Sequence, residues 1–179
     1  MTQIGNVYGE SLYELAKDEN LTAELAAQLK VLKDCFKQEP SFVTLLSTPS
    51  LTKAERCQIL DDSFREKVHP YLLNFLKILT EKGYMRYFGD CCNVYRELYN
   101  KANGILAVTA VTASALTDDQ TARLTDKLSK ITGKTIELEN RIDPSCLGGI
   151  RLDYDGKRTD DTIAHRLDTL RSILKNTVL

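Results

Sequence analysis

The chain has 179 residues, 42% hydrophobic and 27% charged, with a formal net charge of −1. That is globular composition, enough for one large domain or two small ones, and it excludes a disordered chain. Basic and acidic residues nearly balance on either side of Asn103/Gly104, which gives nucleic-acid binding no electrostatic footing, and no apolar run approaches the ~20 residues of a membrane span.

The N-terminal stretch MTQIGNVYGESLYELAKDEN has neither a cationic start nor a long apolar core, so neither a secretory signal nor a transit peptide is expected. A soluble protein that works where it is made, in a bacterial cytoplasm, is the simplest expectation. Five cysteines, Cys35, Cys57, Cys91, Cys92 and Cys146, form no C-x-x-C pair, and the two histidines, His69 and His165, lie in unrelated segments. Free thiols in a reducing compartment are expected, with no metal site and no cofactor. Cys91 and Cys92 on a helix would project about 100° apart, which disfavours a disulfide between them.

The first helix is expected over 3–18, with Ile4, Val7, Tyr8, Leu12 and Leu15 as its apolar stripe. Asn20 is the candidate cap of a second helix carrying Leu25, Leu29, Leu32 and Phe36, which Pro40 ends. Ser41 to Ser47 reads as a short helical piece, and Thr48-Pro49-Ser50 as a break. Thr52 with Glu55 three residues on has the capping-box spacing, ahead of Ile59, Leu60 and Phe64. His69-Pro70 opens a fifth helix, PYLLNFLKILTEKG, which Lys82-Gly83 closes. A sixth carries Tyr84, Tyr87, Phe88, Cys91, Tyr95 and Leu98 and ends at Asn103-Gly104.

The fifth helix has two apolar stripes. Leu72, Leu76 and Leu79 form one; Tyr71, Phe75 and Ile78 form another about 100° round. Such a helix is either central to a bundle or leaves one stripe open for a partner helix.

After Gly104 the pattern changes. ILAVTAVTAS is rich in β-branched residues and reads as a strand. Thr117 caps a helix with Leu124, Leu128 and Ile131 on one face, stopped by Gly133. Then comes TIELENRIDPSCLGGIRLDY. Ile136, Leu138 and Ile142 alternate with Glu137, Glu139 and Arg141, and after the corner Ile150, Leu152 and Tyr154 alternate with Arg151, Asp153 and Asp155. Pro144 breaks the first strand, and Gly148-Gly149 permits positive φ or close backbone approach. Asp155-Gly156 is a hairpin-type turn, and Asp160, Asp161 or Thr162 caps a last helix bearing Ile163, Leu167, Leu170 and Leu174. The expected fold is mainly α: a six-helix bundle over 1–103, then a small α+β domain over 104–179 in the order strand, helix, strand, strand, helix.

No catalytic constellation emerges. Gly148-Gly149 lacks the flanking glycine and Lys-Ser/Thr of a phosphate loop, Ser145 sits in no G-x-S-x-G elbow, and Asp160-Asp161 reads as a helix cap rather than an acid/base pair. His165 falls off the stripe of its helix, and Cys146 has no base near it in sequence. Two amphipathic modules without an active site favour a binding or structural protein over an enzyme.

Four segments resemble the delta subunit family of bacterial F-type ATP synthases, relatives of the mitochondrial oligomycin-sensitivity-conferring protein. VYGESLYELA is similar to the family's opening helix, with Gly9 at a small-residue position, and TEKGYMRYF fits its helix–Gly–helix junction. IDPSCLGGIRLDYDG resembles the family's signature corner, carried here by Asp143, Pro144, Gly148 and Gly149, and RTDDTIAHRLDTLRSIL resembles its closing helix. Cys146, Asp153 and Asp161 depart from the pattern.

The resemblance implies a non-catalytic stator, or peripheral stalk, subunit. It implies a bundle that caps the catalytic head of alpha and beta subunits by binding alpha N-terminal segments, and a C-terminal part that meets the membrane-anchored b subunits. Tyr8 with Tyr71, Phe75 and Ile78 would line the groove for the alpha helix. The membrane would be reached only indirectly, at the cytoplasmic face of the bacterial inner membrane. The alternative is an unrelated cytoplasmic helical adaptor, or a small enzyme using the Gly-Gly corner.

Overall fold

The computed structural model describes residues 2–48 and 51–177, with the side chains of 171 and 173–177 left aside. It is mostly helical with one small four-stranded sheet, and it divides into two compact units, Met1–Tyr99 and Asn100–Leu179.

The first unit holds α1 (Gln3–Asp18), α2 (Thr22–Gln38), α3 (Pro40–Ser47), α4 (Lys53–Phe64), α5 (Pro70–Glu81), a 3₁₀ turn at Met85–Tyr87, and most of α6 (Phe88–Ala102). One apolar core joins Leu12, Leu25, Leu29, Leu32, Phe36, Leu60, Leu72, Leu76, Leu79, Phe88 and Tyr95. Phe36 is its aromatic hub, with ring centroids 5.7 Å from Phe42, 5.9 Å from Phe64 and 5.0 Å from Phe88.

The buried face of α1 is not the stripe of large residues that its periodicity suggests. Gly5, Gly9, Leu12 and Ala16 are buried, whereas Val7 and Leu15 are 55% and 39% exposed. The cause is a close approach to α6. A Cβ on Gly5 would come within 2.6 Å of Asp90 Cβ, and one on Gly9 within 2.8 Å of both Val94 Cβ and the Cys91 carbonyl oxygen. Small side chains let the two helices meet, so the large residues are turned outward.

Helix ends follow local chemistry. Asn20 caps no helix start: it has φ +57° and closes α1. Its N–H donates to the Lys17 carbonyl at 3.2 Å and the Leu21 N–H to the Ala16 carbonyl at 2.8 Å, a Schellman arrangement whose left-handed position asparagine tolerates. Gly83, φ +72°, closes α5 in the same way. The capping box at Thr52–Glu55 is formed, and α7 begins with a second one, Thr117–Gln120. Pro40 is the first residue of α3 and lies one residue earlier than the sequence places that start; its missing N–H costs nothing there.

The second unit runs β1 (Ile105–Thr112), α7 (Asp118–Thr132), β2 (Thr135–Ile142), β3 (Ile150–Tyr154), β4 (Lys157–Asp160) and α8 (Ile163–Thr177). The sheet order is β2-β1-β3-β4, with β2 parallel and β3 antiparallel to β1. The strands flanking the Pro-Gly-Gly corner are therefore not partners, because β1 lies between them. β4 is a fourth strand beyond the expected three. Its residues, KRTD, carry no apolar alternation, and it forms because the Asp155-Gly156 turn, with φ +46° and +70°, folds it back on β3.

Register sorts the sheet into two faces. Leu106, Val108, Ala110 and Thr112 of β1 share one face with Ile136, Leu138 and Asn140 of β2 and Ile150, Leu152 and Tyr154 of β3. The opposite face carries Glu137, Glu139, Arg141, Arg151, Asp153 and Arg158, around a fully buried Val111. The helical stripes are only partly covered. Leu124 and Leu128 of α7 are half-buried and Ile131 is exposed, as are Ile163, Leu167 and Leu170 of α8. Leu174 lies outside the described side chains.

Candidate functional site

Two sets of residues stand out, one in each unit. In the first, α5 has the two-sided character that its sequence predicts, but the sides are unequal. Leu72, Leu76 and Leu79 are in the core, and so is Phe75, 7% exposed. Phe75 is thus a core residue rather than an open anchor. The helix turns far enough between Phe75 and Ile78 that Ile78 emerges 37% exposed, with Tyr71 half-buried on the same side. Tyr71 packs on His69, centroids 5.1 Å apart, and His69 Nδ1 accepts the Tyr71 N–H.

Tyr8 of α1 is half-buried and meets Tyr84 edge-on at 5.9 Å. Tyr84 is placed by the α5 terminus, its N–H donating to the Leu79 carbonyl at 2.7 Å. Tyr8 is therefore tied to the end of α5 that carries Ile78, while Tyr71 lies two turns away at the other end. The tie through Tyr84 is not visible in the sequence, because nothing in the spacing says that α1 and the α5–α6 junction are neighbours.

The second set is the corner between β2 and β3. Asp143 Oδ1 accepts both the N–H and the Oγ–H of Ser145, at 3.1 and 2.6 Å, and starts a 3₁₀ turn at Pro144–Cys146. These bonds, the hydroxyl first, hold the Asp143 carboxyl below its ordinary range. Gly149, φ +76°, passes so close to the start of α8 that a Cβ would lie 2.4 Å from the Asp161 carbonyl oxygen. The Ile163 N–H donates to the Gly148 carbonyl, and the Asp161 N–H to the Ile150 carbonyl, both at 3.0 Å. The Gly-Gly pair thus seats the closing helix by backbone contact.

The polar residues weighed as chemistry serve as caps. Asp160 Oδ1 accepts the Thr162 N–H and Oγ–H, which keeps its pKa low, and Thr162 Oγ1 accepts the His165 N–H. Cys146 is buried in the corner. Among the described residues no group of three or more His, Cys, Asp or Glu could hold a metal ion. An open depression at the β3–β4 turn is lined by Ala107 and Asp153 to Arg158, where Asp153 pairs with Arg158 at 2.7 Å.

Asn140 was not singled out by the sequence, yet it falls in phase with the apolar residues of β2. Its Nδ2 donates to the Ala110 carbonyl and to Thr112 Oγ1, and its Oδ1 accepts the Leu116 N–H, each at 2.9 Å. A polar residue at an apolar phase was the available signal.

A family model described as ATP synthase delta (OSCP) subunit matches residues 4–174. The chain belongs to that family. Among its relatives, ATP synthase subunit delta of Alkaliphilus oremlandii is 34% identical over 167 residues, 93% of either chain. The Clostridioides difficile protein of the same name is 30% identical, covering 98% of this chain and 97% of its own. A chain in the mitochondrial ATP synthase hexamer of Toxoplasma gondii superposes with a TM-score of 0.80 at 19% identity, over 97% of this chain and 98% of that one, which establishes the shared fold. Family membership makes the protein a non-catalytic stalk subunit of an F-type ATP synthase and sets aside the unrelated adaptor and the corner enzyme. It is part of a membrane-associated complex, and among the described residues no helix is long and apolar enough to cross a membrane.

Proposed function

We propose that this subunit fastens the catalytic head to the stalk from the cytoplasmic side of a bacterial membrane, with each unit holding one partner. The N-terminal unit, acting as a six-helix bundle, takes the N-terminal helix of an alpha subunit in a groove between α1 and α5. The C-terminal unit meets the membrane-anchored b subunits. The beta subunits are reached through the head.

The observation that carries this reading is the outward apolar face of α1. Having buried Gly5, Gly9, Leu12 and Ala16, the helix still presents Val7 and Leu15 to solvent, with Ile4 and Tyr8 half-covered beside them. Ile78 adds exposed apolar surface on α5, with Tyr71 half-buried on the same side. An amphipathic helix laid on such a surface buries about 500 Å², on the order of 12 kcal/mol before the cost of ordering. A stator needs affinity and stiffness, and a helix in an apolar groove supplies both. The exposed Ile163, Leu167 and Leu170 of α8 support the second contact in the same way.

Ile78→Asp in the full-length protein tests the first contact. It abolishes binding to the head while thermal unfolding stays near that of the wild type; if the bundle unfolds instead, Ile78 is core and the groove loses its support. Leu167→Asp with Leu170→Asp tests the second. The double variant keeps head binding and loses the b subunits in reconstitution, and retained stalk binding rejects that assignment.

A further inference from the structure

The groove reading leaves Arg86 unexplained. It sits in the 3₁₀ turn after α5, exposed, with its guanidinium 4.7 Å from the centre of the Tyr87 ring. Tyr87 meets Tyr84 at 6.1 Å, and Tyr84 meets Tyr8 at 5.9 Å. A cation is thus held on a track of three tyrosine rings that leads to α1. The carboxylate one turn further on is directed to the start of α1 instead: Asp90 Oδ2 accepts the N–H and Oγ–H of Thr2, at 3.2 and 2.7 Å. Among the described residues no carboxylate pairs with Arg86. The opposite end of α5 is different: there Tyr71 packs on His69, whose Nδ1 is occupied as an acceptor.

The geometry points to Arg86 as the residue that sets the direction of the partner helix, by pairing with a carboxylate at the end of that helix lying over Tyr8 and Tyr84. This rests on the groove reading above and deepens it: the occupant is an amphipathic helix, apolar along one face and acidic at one end. Stacking on Tyr87 pre-orders the guanidinium, so less side-chain freedom is lost when the pair forms. The apolar stripe supplies most of the affinity. Arg86 supplies orientation and the salt-sensitive part.

The test uses the full-length subunit and a synthetic peptide covering the N-terminal segment of the alpha subunit, titrated at low and high salt. Arg86→Gln weakens binding ~3-fold at low salt, the range of an exposed ion pair, and flattens the salt dependence. Arg86→Lys restores most of the salt dependence. Replacing the peptide's carboxylates by amides removes the difference between wild type and Arg86→Gln. Ile78→Asp, run in parallel, loses binding at both salt concentrations. Wild-type affinity and salt slope in Arg86→Gln, with Ile78→Asp still defective, overturns the role of Arg86 and leaves the groove intact. Wild-type binding by Ile78→Asp overturns the groove and this inference with it.

Discussion

Gly149 shows how much one backbone position can require. Its φ of +76° strains any L side chain, and its missing Cβ is what allows the Asp161 carbonyl to pass at the start of α8. Gly149→Ala meets both penalties, and we expect a loss of about 2–3 kcal/mol in urea unfolding followed by a probe in the second unit. Gly83 has a similar φ, +72°, but open space around it, so Gly83→Ala costs only about 1 kcal/mol. Asp143 gives a pH prediction. Its folded pKa lies below the ordinary 3.8 because Ser145 donates to the carboxylate. A depressed folded pKa means that the stabilisation is present above the unfolded value and lost as pH falls through the folded one. Asp143→Asn should therefore be less stable than the wild type at pH 7, with the difference shrinking as the pH falls below about 4, which urea unfolding across pH measures. Both glycines and Asp143 are evident in the sequence as turn-formers. The close passage of the Asp161 carbonyl that separates Gly149 from Gly83 is not, since it depends on which segment lies opposite.

Among the elements, α1 and α5 make the same point about helical stripes. Periodicity placed both helices, and it marked two apolar sides on α5. It did not say which side is inside. For α1 the periodicity offers Ile4, Val7, Tyr8, Leu12 and Leu15 as the core stripe; Leu12 is buried, but the two glycines and Ala16 complete the buried face in place of the others. The expected outcomes follow from burial. Gly9→Leu forces α1 away from Val94 and the Cys91 carbonyl and lowers stability by about 2–3 kcal/mol in thermal unfolding. Leu76→Ala, fully buried, costs about 2–5 kcal/mol, while Ile78→Ala, on the exposed side, stays within about 1 kcal/mol. Calorimetry of the three variants distinguishes this arrangement from one in which Ile78 is core. For the sheet, alternation identified β2 and β3 but missed β4, a charged four-residue edge that pairing alone makes a strand.

The whole molecule is two compact units whose chemistry is spent on caps, turns and packing. The carboxylates at Asp143 and Asp160 order turns, and the Gly-Gly corner seats a helix. Among the described residues the exposed large apolar side chains include Val7 and Leu15 on α1, Ile78 on α5, and Ile163, Leu167 and Leu170 on α8. Such surface on a chain of this family suits fastening rather than turnover.

By itself the sequence determined the mostly helical class with a small sheet, most of the helix ends, the corner, the Asp155-Gly156 turn and the family, because these rest on local rules of period, capping and backbone freedom. Only the tertiary structure decided which face of α1 is buried, that Phe75 is core while Ile78 is not, that β1 separates β2 from β3, and that Tyr87, on which Arg86 stacks, meets Tyr84, which meets Tyr8 of α1. Each of these depends on which distant segment comes close, and close approach is fixed by the packing of the whole unit rather than by any residue's neighbours along the chain.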